Sequence, residues 1–486
     1  MKRPVVIGLE VHLQLKTKTK LFCSCSTDYI GVAPNSNVCP VCLAVPGTLP
    51  TLNDKAVEFG ARLGLGLHCE IMDGSDFFRK GYFYADLPKA YQITQFEKPI
   101  AVGGYLDIDM PTGVKRVRIN HLHLEEDAGK LVHPTQDGRL SGASHSLVDC
   151  DRGGIPLTEI VSEPDMSSAA EAKEYVIRLR QLARYLEVSD GEMESGSLRV
   201  DANISLSNPD GSLGTRVEIK NMNSLKALER AVEYEIARQG KVLDGGGSLV
   251  QETRLWDDAE GVTRSMRSKE SAGDYRYYPE MDLLPISVTD EEIARFKKDL
   301  PELPWEKRER YRNEFGLKGD EVYILTEQKE VAAYFEKMLA AGAPVARSAN
   351  WIRMEVMKIM NESGWDITTF PVPAETLAQL VIKVEKKEFS STIAKDILEL
   401  MAKNKISLDD AVKQCGAGES KLTEEALNAL IAKIMAEQSE VVETIRTGQD
   451  AKGTKVKFLQ GLIMKETRGQ VNPKDASDAL LRLLQK

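Results

Sequence analysis

Four stretches of the chain alternate ionisable and apolar residues with a period of two, and this pattern commits the part that holds them to a sheet with one polar face. In Gly8-Leu9-Glu10-Val11-His12, successive side chains of a strand point to opposite faces, so Glu10 and His12 project together. The stretch Ile119–Glu126 sets Ile119, His121, His123 and Glu125 on one side, and Asn120, Leu122, Leu124 and Glu126 on the other. Arg199, Asp201, Asn203 and Ser205 share a face of a third stretch, and Glu218 and Lys220 share a face of a fourth. Carboxylates and imidazoles at this period are what a cation needs if a rigid sheet is to hold it. The polar outer side of ordinary half-exposed strands gives the same alternation, so spacing alone leaves both readings open.

With 486 residues the chain is too long for one core, and two to four domains are expected. No apolar run reaches membrane-spanning length, and Met1-Lys2-Arg3-Pro4 leads at once into strand-like sequence, so a cytoplasmic protein without membrane association is expected. The formal net charge of −10 argues against a general nucleic-acid coat but allows a local basic patch. In such a setting the 7 cysteines are metal ligands or buried thiols before they are disulfides. Cys23-Ser24-Cys25 and Cys39-Pro40-Val41-Cys42 form a CxC and a CxxC knuckle across a Pro/Asn/Gly-rich loop, a donor set able to close a tetrahedral structural Zn²⁺ site. Cys69, Cys150 and Cys415 stand apart as ordinary thiols.

Helical periodicity predicts a helix over Asn53–Leu67 capped by Asn53 or Asp54, one over Ala169–Leu186, and one over Leu225–Gln239 ending near Gly240. Strands are expected at Tyr105–Met110, Lys115–Asn120 and Leu157–Val161. Two stretches interleave cations with aromatic rings, Arg79-Lys80 through Tyr91-Gln92 and Ser271–Pro279; both suit phosphate and ring contacts, and both also suit a solvated loop. Neither GxxxxGK[ST] nor GxGxxG occurs, so no standard phosphate-cradling loop is present. After Val288–Asp290 the pattern becomes helical, with Asp290–Leu300, Val331–Ala341, Asn350–Ser363 and Ala374–Val384 as the clearest helices. The end of the chain is locally basic through Lys452, Lys455, Lys457, Lys465, Arg468 and Lys474. The expected architecture is α+β: residues 1–290 form a mixed α/β domain on a largely antiparallel sheet with the zinc knuckle at 23–42, the domain that any catalysis would occupy. A helical domain follows over 291–405, then a small helical tail domain over 406–486.

Taken together, Gly8–His12, Tyr82-Phe83-Tyr84, Pro88–Gln92, Leu122–Lys130, Ser197–Asn203, Lys220–Ser224 and Asp274–Tyr278 resemble the B subunits of the bacterial aspartyl/glutamyl-tRNA amidotransferases. The likeness runs the whole length, departing locally at Ala85 and Met281, where proline is expected, and at Gln460 in the tail. It implies that ATP phosphorylates the side-chain carboxylate of Glu or Asp on a mischarged tRNA, and that ammonia then displaces phosphate to give Gln or Asn. It also implies a heterotrimer, with a glutaminase (amidase) subunit supplying the ammonia and a small third subunit, and a tail domain over 406–486 that binds tRNA. The residues it marks as catalytic are Glu10, His12, Glu125, Glu126 and Lys80, with Glu10, His12, Glu126 and Glu218 as ligands of Mg²⁺. By strand parity only one of Glu125 and Glu126 should reach the cation. Lys89, Arg199 and Lys220 are implied phosphate contacts for ATP. Two other classes fit part of the sequence. A non-catalytic zinc-stabilised tRNA-binding module would use the basic-aromatic stretches but leaves the acidic alternation unused, and a self-contained metallohydrolase would need no ATP.

Overall fold

The structure is a computed structural model that describes residues 3–135, 142–268, 272–416, 423–447, 453–467, 471 and 473–485. Of the residues singled out above, Met1, Lys2, Ser271, Lys452 and Arg468 lie outside them. Packing divides the chain into two compact units, Met1–Pro304 and Trp305–Lys486. The first unit therefore runs past the expected boundary at 290. The added segment is a helix, Asp290–Lys298, that opens on a Thr289–Glu292 capping box and packs on the helix Asp54–Gly66.

The first unit is built on one 13-stranded sheet. Its main path uses ten strands: β1 (Val5–Gln14), β2 (Phe77–Gly81), β3 (Tyr91–Gln95), β4 (Gly113–Glu126), β5 (Pro156–Ser162), β6 (Leu198–Leu206), β7 (Val217–Lys220), β8 (Glu252–Asp257), β9 (Val262–Ser268) and β10 (Tyr278–Pro279). In space they run β9-β8-β7-β6-β1-β5-β4-β3-β2-β10. Every pairing along this path is antiparallel except β7 with β8. The largely antiparallel sheet expected from the alternation is thus present.

One stretch is more continuous than the sequence suggests. Lys115–Asn120 and the histidine-rich segment after it are a single 14-residue strand, β4. Its first half forms a hairpin with Tyr105–Met110, and its second half pairs with β5. The buried apolar side changes from Val117 and Ile119 to Leu122 and Leu124, where the register with β5 shifts between Val161 and Ser162, yet the strand runs on without a break.

Helices cover the apolar face. In α1 (Asp54–Gly66), the Asn53 side chain caps the first turn by accepting from Lys55 N–H. In α2 (Ala169–Tyr185), Ser168 caps, and the stripe Tyr175, Val176, Leu179, Leu182 is buried. The third helix, α3 (Leu225–Asp244), starts at the Ser224 cap but runs through Gly240, where the sequence predicts its end. The run Gly245-Gly246-Gly247 supplies the stop instead, with Gly245 as the C-cap. A lone glycine costs a helix about 1 kcal/mol, less than the packing of α3 on β6 returns.

The second unit is helical among the described residues. It holds two separate apolar cores, one formed by residues between Tyr311 and Ala411 and one by residues between Leu427 and Leu484. The helix expected at Asn350–Ser363 begins earlier, at Val345, and passes through a π-helical turn at Ile352–Val356. The tail core does not begin at 406. Leu408 and Ala411 of the helix Leu408–Cys415 belong to the preceding core.

Candidate functional site

The register of five neighbouring strands gathers the alternating polar residues at one place. Along β1, Glu10 is opposite Asp201 of β6, and His12 is opposite Glu159 of β5. Glu159 in turn faces His123 of β4, and Asn203 of β6 faces Glu218 of β7. A cavity of about 280 Å³ opens over them, lined also by Lys80, Lys220, Thr94, Thr253, Tyr275 and Tyr277.

Distances within the cluster define two donor sets beside the group His121, His123 and Glu159. His12 Nε2 lies 3.2 Å from Glu159 Oε2 and 3.6 Å from Glu125 Oε1. His123 Nε2 lies 3.3 Å from Glu159 Oε2 and 3.7 Å from Glu125 Oε2. In the second set, Glu10, Asp201 and Glu218 bring one carboxylate oxygen each to within 4.8 Å of one another. That spread suits three ligands of an octahedral cation with metal–oxygen distances near 2.1 Å. Thr253 Oγ1 donates to Glu218 Oε2 at 2.7 Å, which fixes that carboxylate. Lys220 Nζ is paired with Asp201 and lies 3.7 Å from Glu218 Oε1.

Crowding these charges shifts their protonation. Burial raises Glu10, and neighbouring Glu159 raises it further, to about 7. Burial acts to lower His12, but hydrogen bonding and the charge of Glu159 prevail and bring it to about 9. His123 rises to about 10 for the same reason, with Glu125 contributing. Glu159, despite burial, is held well below the usual carboxylate range by His123 and His12. Burial also works against the Lys80 ammonium, yet Glu125 leads the charges that lift it to about 12. Its Nζ sits 4.8 Å from the centre of the Tyr275 ring. Glu10, His12 and His123 therefore hold their protons to higher pH than the free groups do.

Six of the residues marked in the sequence therefore meet here: Glu10, His12, Lys80, Glu125, Glu218 and Lys220. Glu126 does not. Its place in β4, one residue out of phase with His123 and Glu125, turns it to the opposite face. There its carboxylate takes an ion pair from Lys89 and accepts from Ile93 N–H at 2.8 Å. This corrects the expected ligand set, since the carboxylate that shares the cavity's face is Glu125. Lys89 leaves the site with Glu126 and lines a separate cavity beside Cys23 and Cys42. Arg199 stands opposite His12, but its guanidinium is bound to the buried carboxylate of Asp127. Sequence reasoning placed His123 and Asp201 on the polar faces without naming them as ligands, and missed Glu159. Glu159 had one visible signal, a lone charged residue in the strand-like run Leu157–Val161.

The four cysteines of the knuckles bring their Sγ atoms within 4.8 Å of one another. Zn–S bonds of about 2.3 Å place tetrahedral sulfurs roughly 3.8 Å apart, and Cys39 and Cys42 lie at 3.8 Å. The N–H of Cys39 donates to Cys42 Sγ at 3.1 Å, which holds the second knuckle closed. A hydrogen bond from Cys23 is the main cause that pulls the Cys42 thiol down to about 5. The donor set fits a structural zinc ion.

Two family models match the chain. Residues 5–294 match the GatB/GatE catalytic domain, and residues 333–484 match the GatB domain. Over 490 residues, covering all of both chains, the sequence is 46% identical to the B subunit of the aspartyl/glutamyl-tRNA(Asn/Gln) amidotransferase of Thermoanaerobacter pseudethanolicus. The corresponding protein of Thermosynechococcus vestitus is 47% identical over 488 residues, covering 99% of this chain and 96% of the relative. That of Geobacter sulfurreducens is 46% identical over 487 residues, again covering both chains in full.

Proposed function

Because this chain belongs to the family of aspartyl/glutamyl-tRNA(Asn/Gln) amidotransferase B subunits, we propose that its sheet-face cavity activates the side-chain carboxylate of Glu or Asp on mischarged tRNA with ATP and passes it to ammonia. The observation that carries this reading is the convergence of Glu10, His12, Glu159, Asp201 and Glu218 with Lys80 and Lys220 around one cavity, with Glu125 beside His12 and Glu159. Few reactions need so dense a mixture of both charges. A carboxylate is a poor electrophile, and it meets an equally anionic γ-phosphate only if positive charge stands between them. In the first step, a carboxylate oxygen attacks the γ-phosphorus and ADP leaves, giving an acyl phosphate. In the second, ammonia attacks the acyl carbon and inorganic phosphate leaves with the proton that nitrogen sheds.

The chain's own part in this is positional and electrostatic. Lys80 and Lys220 are point charges suited to phosphate oxygens. Tyr275 and Tyr277 wall the cavity and reduce its contact with water, which strengthens every charge interaction inside. The all-oxygen set Glu10, Asp201 and Glu218 suits Mg²⁺, which favours oxygen, whereas the set containing His12 tolerates a softer ion. When bound, the cation supplies charge neutralisation between the two anions. Ammonia comes from a glutaminase partner in a larger assembly that includes a small third subunit.

The deciding experiment measures ADP formation by the assembled enzyme with and without mischarged tRNA. Wild type should consume ATP only when mischarged tRNA is present. Glu10→Gln should lower that rate by at least about 100-fold, the loss of several kcal/mol of charge stabilisation, while tRNA affinity stays within about two-fold. ATP-independent hydrolysis of the substrate, or full turnover by Glu10→Gln, would defeat the reading.

A further inference from the structure

Lys20 is completely buried, yet it faces no carboxylate within ion-pair distance among the described residues. Its Nζ donates to the carbonyl oxygen of Cys150 at 3.2 Å, and its other neighbour is Cys42 Sγ at 3.9 Å. A desolvated ammonium is costly unless an anion compensates it. The chain has nonetheless built a channel for this side chain. Gly154, at φ +87°, passes so close that a Cβ there would lie 3.3 Å from Lys20 Cδ. The Lys20 backbone N–H donates to Cys25 O at 2.9 Å, which ties the same residue to the first knuckle.

The missing anion is supplied if the cluster is loaded. Zinc held by four thiolates carries a net charge of −2, from four negative sulfurs and one divalent ion. We propose that Lys20 is a positioning cation of the four-cysteine site: its ammonium offsets part of the tetrathiolate charge through Cys42 and clamps the knuckles to the Cys150 turn. The proposal rests on the reading of Cys23, Cys25, Cys39 and Cys42 as a zinc site. It adds a distinct claim, that the charge of Lys20 and not merely its hydrogen bond retains the metal.

Glutamine and arginine at this position separate the two. The glutamine amide can still donate to Cys150 O but carries no charge, whereas arginine keeps the charge. In full-length protein, zinc release to excess 4-(2-pyridylazo)resorcinol should be about 10- to 100-fold faster in Lys20→Gln, the usual effect of removing an outer partner of a metal site. Lys20→Arg should restore the rate to within a few-fold of wild type. In cobalt-substituted protein, the thiolate-to-cobalt charge-transfer band should shift in Lys20→Gln and return in Lys20→Arg. A Lys20→Gln protein with wild-type release rate and spectrum overturns the proposal and leaves the zinc reading intact. Wild type that takes up neither zinc nor cobalt overturns both. If the glutamine variant does not accumulate, amine acylation of wild type read by mass spectrometry decides. Lys20 should be protected when zinc is loaded and modified once it is chelated, and equal protection in both states overturns the proposal.

Discussion

At the scale of single residues, the site is a contest between protons and a cation. Glu10 has a folded pKa of about 7, above its ordinary 4.5, so between those values the folded chain holds a proton that the unfolded chain has released. His12 and His123, at about 9 and about 10 against 6.5, do the same over a higher range. Stability changes with pH as the protons bound in the unfolded state minus those bound in the native state, and that difference is negative for all three groups. The metal-free protein should therefore lose stability from these groups as pH rises from about 4.5 to about 10. A cation needs the ionised forms and competes with the protons, so its binding should strengthen as pH rises. Melting temperatures taken with and without saturating Mg²⁺ at fixed ionic strength should show a larger gain near pH 8 than near pH 6, on either side of the Glu10 value of about 7. An equal or larger gain on the acid side would remove Glu10 from the ligand set.

The same residues mark what a linear sequence can disclose. Glu10, His12, Glu218 and Lys220 are legible because period two fixes which of their neighbours share a face. Parity also separates Glu125 from Glu126, but it does not say which face lies over the site, and the expected ligand Glu126 is on the wrong one. Asp201 and Glu159 are illegible as donors for a different reason. Their place depends on the pairing of β1 with β6 and β5, and register between strands well over a hundred residues apart is set by packing that no local pattern encodes.

At the scale of elements, α1 shows how the polar face is held from behind. Gly60 and Gly64 lie one turn apart on α1, on the side that meets the sheet. A Cβ on Gly60 would lie 3.1 Å from Leu124 Cδ2, the end of a side chain that can give way. On Gly64 it would lie 3.0 Å from Ala101 Cβ, which cannot. Leu124 sits in β4 between His123 and Glu125 and points away from them, so pressure on it reaches the site. Gly60→Ala should change stability by less than about 1 kcal/mol, because gained helix propensity offsets the tight contact. Gly64→Val should cost roughly 2–3 kcal/mol through overpacking, read as a lower denaturant midpoint at unchanged m-value. Equal effects of the two substitutions would mean that α1 does not rest on the sheet as closely as these distances require. The zinc knuckle is a second device of this scale: Cys39→Ser should abolish stoichiometric zinc and lower the melting temperature, while surviving protein keeps most of its turnover per active site.

At the scale of the molecule, the two cores of the second unit set where the chain can be cut. Truncation before Ser407 would strip Leu408 and Ala411 from the core between Tyr311 and Ala411 and confuse unfolding with lost binding. Truncation after Gly416 leaves that core whole and removes the other, with its helix Thr454–Glu466. On that helix Lys457, Phe458 and Lys465 are exposed, a basic and aromatic surface in a chain of net charge −10. An acidic protein that holds tRNA needs such a surface, because neutralising phosphates supplies much of the affinity. The shape of an RNA helix is recognised through its backbone without reading bases. The chain ending at Gly416 should therefore keep its fold and its Mg²⁺-dependent melting shift, yet bind tRNA about ten-fold more weakly near physiological salt, the loss of two or three phosphate contacts. Its affinity should also fall less steeply with added salt. In the assembled enzyme KM for mischarged tRNA should rise more than kcat falls, as expected when binding shared by ground and transition states is removed. Unchanged affinity at two salt concentrations would reduce the basic surface to a solvated face and return tRNA recognition to the sheet unit.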